Sequence, residues 1–102
     1  MKTSPLTVQE VFNQLTQEWK TNLSPLSSME KLAMHPAYQK IIGLGPDVLP
    51  HLFRELEKSP DLWFWALRSI TRENPVQPEH RRQVKLMAKD WLDWAKKNGY
   101  AW

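Results

Sequence analysis

Apolar residues recur along this chain at three- and four-residue spacing, and proline or glycine cuts the pattern about every dozen residues. That spacing stacks side chains on one face of an α-helix, whereas a strand needs alternation, which no segment offers. The expected fold class is therefore all-α. A chain of 102 residues has room for one core, so a single helical domain over 1–102 is expected.

The helix boundaries are written in caps and breakers. Thr7 and Glu10 have the spacing of a capping box, with Leu6 and Val11 as the accompanying staple, ahead of a stripe of Val8, Val11, Phe12, Leu15 and Trp19 that ends near Asn22. Leu23 to Ser28 reads as a loop, and Ser27 with Glu30 repeats the capping spacing before Met29, Leu32 and Ala33. His35-Pro36 interrupts that short helix and makes His35 an N-cap or turn residue, because the residue before proline is pushed out of the α region. Ala37, Tyr38, Ile41 and Ile42 add a turn or two, with Gly43 as the stop.

Gly45-Pro46 opens the next helix, whose apolar face is Val48, Leu49, Leu52, Phe53 and Leu56, and Ser59-Pro60-Asp61 starts another that runs to about Thr71. Asn74 to Pro78 is a loop, and the last helix is expected from Glu79 to Asn98, stopped by Gly99, with Val84, Met87, Ala88, Trp91, Trp94 and Ala95 buried. The sum is a compact bundle of about five helices.

Six tryptophans in so short a chain point to an aromatic core. Burying one indole removes roughly 150–250 Å² from water, about 4–6 kcal/mol gross before the chain entropy is subtracted. With 41% hydrophobic and 25% charged residues the sequence lies far from the composition of disordered chains. There is no cysteine, which excludes disulfides, thiolate metal sites and a cysteine nucleophile. Met1 to Glu10 lacks the pattern of a secretory signal, and no stretch approaches the ~20 apolar residues of a membrane span, so a cytoplasmic protein without a membrane partner is expected.

Gly45-Pro46-Asp47-Val48-Leu49-Pro50 through Leu56, followed by Pro60 through Ile70, resembles one HEAT-type repeat, a helical hairpin. The resemblance implies a scaffold for the central pair of helices and carries no activity with it. His35-Pro36-Ala37-Tyr38-Gln39-Lys40-Ile41-Ile42-Gly43, Trp63-Phe64-Trp65-Ala66-Leu67 and Gly99-Tyr100 resemble a group of small bacterial proteins of unknown function. That likeness implies no catalytic or ligand-binding residue.

The residues themselves show no reaction centre. His35, His51 and His80 stand in separate segments without helical metal-ligand spacing. No serine sits in a glycine-flanked elbow, and glycines at 43, 45 and 99 alone cannot form a phosphate loop. Glu55/Glu57 and Asp90/Asp93 fall on faces expected to be solvated and ion-paired. No cofactor, no metal and no enzymatic activity are expected.

Two surfaces remain. On the helix around Trp63, the residues Leu62, Trp63, Ala66, Leu67 and Ile70 share one stripe, while Phe64 and Trp65 project from the other side with Arg68 between them. Either this helix is central and covered on both sides, or Phe64, Trp65 and Arg68 form an aromatic and cationic patch of the kind that dominates protein interfaces. The last helix carries Arg81, Arg82, Lys85, Lys89, Lys96 and Lys97 off its apolar stripe, a solvated face or a track for a phosphate backbone. Tyr100 and Trp102 either fold back on the core or stay free as an anchor. The expected role is a small non-enzymatic interaction module, adaptor or antitoxin-like, that binds another bacterial protein through Phe64, Trp65, Arg68, Tyr100 and Trp102. The alternative is an accessory nucleic-acid binder using Arg81, Arg82, Lys85 and Lys89.

Overall fold

The computed structural model describes residues 7–21 and 28–102. Among them the chain forms six α-helices and no strand: α1 (Val8–Thr21), α2 (Met29–Met34), α3 (Pro36–Gly43), α4 (Leu49–Leu56), α5 (Phe64–Thr71) and α6 (Val84–Lys97). Single 3₁₀ turns at Gly45–Val48, Pro60–Leu62 and Pro78–His80 precede the last three. All but α2 are eight residues or longer, so the molecule is a bundle of about five principal helices. No described helix is long and apolar enough to cross a membrane.

The caps explain most boundaries. The Thr7 hydroxyl caps α1, accepting from the Glu10 N–H at 3.1 Å as expected, while the Glu10 carboxylate reaches back to that hydroxyl at 3.2 Å and not to the Thr7 N–H. The Leu6 half of the expected staple, the loop from Leu23 and the cap at Ser27 lie outside the described residues; the hydroxyl that caps α2 belongs to Ser28, accepting from the Lys31 N–H. His35 caps α3, its Nδ1 accepting from the Ala37 N–H at 3.0 Å. At the other end of the chain α6 closes in a Schellman motif, with Gly99 at φ +82, its N–H on the Lys96 carbonyl and the Tyr100 N–H on the Ala95 carbonyl.

Four local expectations are corrected. Gly43 is the last helical residue of α3, and the left-handed turn falls instead on Gly45 at φ +74. Ser59 makes no capping hydrogen bond; the turn it opens is 3₁₀, and Trp63 at φ −114 with a fully buried indole separates that turn from α5. The last helix begins at Val84 and not at Glu79, because Arg82 stands at φ +67, a left-handed backbone that a right-handed helix cannot contain. Val84, expected inside, is then the first residue of α6 and is 38% exposed.

The core has two aromatic centres. In the first, Phe12 and Trp19 of α1, Tyr38 of α3 and Trp63 pack together, with Trp19 and Tyr38 centroids 5.0 Å apart and Tyr38 stacked on Trp63 at 5.7 Å. In the second, Phe53 of α4 meets Trp94 of α6, Tyr100 and Trp102, while Trp91 packs edge-on against Trp94. Accordingly α1 packs on α3, α3 on α5, and α4 on α6. Trp19, Trp63 and Trp91 are completely buried, and Trp65 is the most exposed of the tryptophans.

Candidate functional site: a cationic, aromatic groove

The break at Trp63 sets the register of α5. With Trp63, Ala66 and Leu67 turned into the core, the residues Phe64, Arg68, Arg72 and Trp65 fall within an arc of roughly 100° on the opposite face at 100° per residue. Phe64 is half-buried and packs on the core edge, whereas Trp65, Arg68 and Arg72 are exposed. Among the described residues, helix α5 is therefore covered on one side only.

That uncovered side is one wall of a groove of about 820 Å³. Met87 and Trp91 of α6 and Met29 at the start of α2 line it as well, and the connection between α5 and α6 contributes Glu73, Asn74, Val76 and Arg81. Three arginines, Arg68, Arg72 and Arg81, thus stand around a lining rich in thioether, aliphatic and aromatic side chains, with Glu73 the single acid among the lining residues. No described carboxylate forms an ion pair with any of the three guanidinium groups.

The wall from Arg72 to Arg82 holds no α-helix, only the 3₁₀ turn at Pro78–His80, and its shape depends on specific contacts. Both end residues have left-handed backbones, Arg72 at φ +60 and Arg82 at φ +67, conformations uncommon outside glycine, asparagine and aspartate. Thr71 accepts from the Glu73 N–H at 3.1 Å, and Asn74 accepts from the Val76 N–H at 3.4 Å. Asp90 of α6 fastens the centre: its Oδ2 accepts from the Gln77 N–H at 3.1 Å and lies 2.7 Å from His80 Nδ1. Asp90 was expected on a solvated face and is instead 7% exposed. A carboxylate so placed keeps its hydration replaced by two donors.

The groove brings Phe64, Trp65 and Arg68 together and adds Arg81 from the expected basic face, but the rest of that face lies elsewhere. Lys85 and Lys89 line a second, smaller hollow of about 550 Å³ with Lys58 and Lys96, over Leu56, Pro60, Ala88 and Leu92. Lys89 there pairs with Asp93 at 2.9 Å, the helical ion pair expected of that face, and Glu57 accepts from Trp102 Nε1 at 2.9 Å. Arg82 lines neither hollow. Tyr100 and Trp102 fold back: both lie 5.4 Å from the Phe53 ring, and Tyr100 stacks on Trp94 at 5.9 Å.

Arg72 follows from Arg68 by the four-residue step of a helix and was open to sequence arithmetic; Met29, Met87 and Arg81 reach the groove only through tertiary packing. The three histidines serve separate local contacts, His35 as a cap, His80 on Asp90, and His51 stacked on Phe12 at 5.9 Å. Partial burial and the neighbouring Arg54 lower the His51 pKa. Among the described residues no group of three or more histidine or carboxylate side chains is placed to hold a metal ion. No family model, curated protein or solved structure matches this chain.

Proposed function

We propose that this chain is a small non-enzymatic binding module, adaptor or antitoxin-like, that acts in the bacterial cytoplasm by engaging another protein through the groove beside α5. The observation that carries the reading is the exposed side of that helix: Trp65 is 38% exposed beside half-buried Phe64, with three arginines around the same hollow that form no ion pair among the described residues. Aromatic and arginine side chains are the residue types that most often dominate binding energy at protein interfaces. Methionines in the same lining adapt to differently shaped partners. Tyr100 and Trp102 contribute by closing the core over Phe53, so the binding role rests with Phe64, Trp65 and Arg68.

The test is a pull-down from the native host, with the captured protein identified and then rebound in purified form. Wild type should retain it, and Trp65→Ala and Arg68→Ala, which alter exposed side chains and leave the helical circular dichroism unchanged, should each lose it. Binding indifferent to both substitutions overturns the proposal. Nucleic-acid binding through Arg81, Arg82, Lys85 and Lys89 is the second reading, supported by the lysines gathered around the smaller hollow. Phosphate-driven affinity falls steeply with salt. A gel shift at low salt that is absent for wild type, or unaffected by Arg82→Glu and Lys85→Glu, removes it.

A further inference from the structure

Resting on the proposal that the groove beside α5 receives a protein, we infer that its occupant is an acidic segment carrying a bulky apolar anchor. The groove holds an excess of positive charge that no ion pair among the described residues compensates. Arg68 stands in the last turn of α5 and Arg72 directly after its end, Arg81 lines the same space from the connection before α6, and Glu73 is the single carboxylate among the lining residues. Asp90, the buried acid of α6 that holds this connection, is already occupied by Gln77 and His80.

Guanidinium groups favour carboxylates because their planar fork can donate two parallel hydrogen bonds to one acid. Three of them facing one cleft therefore select for several acids on the occupant and against basic segments, which would place like charges together. The lining between the arginines selects differently. Met29, Val76 and Met87 are aliphatic or thioether side chains, an apolar seat for a leucine- or phenylalanine-sized residue.

The same lining argues against a single-stranded nucleic acid, which uses a series of exposed rings to stack successive bases. Here Trp65 is the one exposed ring; Phe64 is half-buried and Trp91 fully buried. The expected recognition is therefore one or two anchors between arginines, with acids on either side.

Selection of short random peptides displayed on phage against the immobilised full chain, followed by fluorescence anisotropy with an enriched peptide, tests this directly. Enriched sequences should combine aspartate or glutamate with a large apolar residue. Arg68→Glu or Arg72→Glu should weaken binding by about tenfold or more, and so should replacing the acids of the peptide by their amides. Enriched peptides without acids, or an affinity indifferent to the amide replacement, overturn the inference; if Trp65→Ala still abolishes their binding, the protein-binding proposal stands. Selection that yields no peptide dependent on Trp65 overturns both. An oligothymidylate that displaces every enriched peptide from the groove overturns the inference in favour of a nucleic-acid occupant.

Discussion

The hydroxyl of Tyr38 accepts from the N–H of Ala66 at 3.0 Å and donates to the carbonyl of Leu62 at 2.9 Å, so a side chain of α3 caps α5 from 28 residues away. The first N–H groups of any α-helix lack partners within it. In α5 the residue before the helix is Trp63, whose indole is committed to the core and offers no cap. Tyr38 takes over that role, and it also joins the two halves of the break at Trp63, since Leu62 and Ala66 lie on either side of it.

Tyr38→Phe should therefore destabilise the fold by about 1–3 kcal/mol, the usual cost of leaving buried polar groups unpaired, without altering the ring packing. Burial also holds the Tyr38 phenol well above the ordinary tyrosine pKa, against a smaller opposing effect of its hydrogen bond with Ala66. In the unfolded chain the phenol titrates at about 10. Below that pH both states keep the proton and the full stability is present; above it the unfolded state loses the proton first, and stability falls as pH rises. Urea titrations above pH ~10 should show a steeper loss for wild type than for Tyr38→Phe; equal slopes would show that the phenol is not shielded.

Trp63→Ala and Trp91→Ala should each cost about 3–5 kcal/mol, since each removes a completely buried indole from one of the two aromatic centres. The relevant measurement is the urea midpoint. Trp65→Ala serves as the contrast, because its ring is 38% exposed, and a change above about 1 kcal/mol there would show that α5 is covered on both sides.

Asp90→Ala removes the acceptor shared by Gln77 and His80. It should destabilise by about 1–3 kcal/mol and speed hydrogen exchange at the Gln77 amide, while exchange in α1 and α3 stays unchanged. The wall carrying Arg81 loses its fastening to α6 in the same variant. Unchanged exchange at Gln77 would mean that the connection is held by other contacts.

Gly99→Ala places a side chain on a residue at φ +82, and an added Cβ would meet no atom within 4 Å. Only backbone strain should act, about 1–2 kcal/mol. A melting temperature equal to wild type would show that the end of α6 can close without a left-handed residue.

Much of the bundle was legible in the sequence, because caps, breakers and helical spacing act locally. Thr7 with Glu10, His35 before Pro36, and Gly99 after Lys97 all do what their neighbours dictate. The stripe Val48, Leu49, Leu52, Phe53 and Leu56 is buried to the last residue. Phe64, Trp65 and Arg68 line the same side of α5 because helical geometry puts them within one arc of its surface.

What the sequence could not decide were contacts between residues far apart along the chain. A start signal at Ser59 and a helix from Glu79 were reasonable locally, yet the buried indole of Trp63 and the hold of Asp90 on Gln77 and His80 override them. Whether Asp90 is solvated, whether Tyr100 and Trp102 return to Phe53, and whether Arg81 faces Arg68 depend on which surfaces meet in three dimensions. Periodicity fixes the face of a helix on which a side chain stands, because that depends on the backbone of a few residues. Only packing fixes what that face meets, since burial and pairing energies belong to partners that the local chain does not contain.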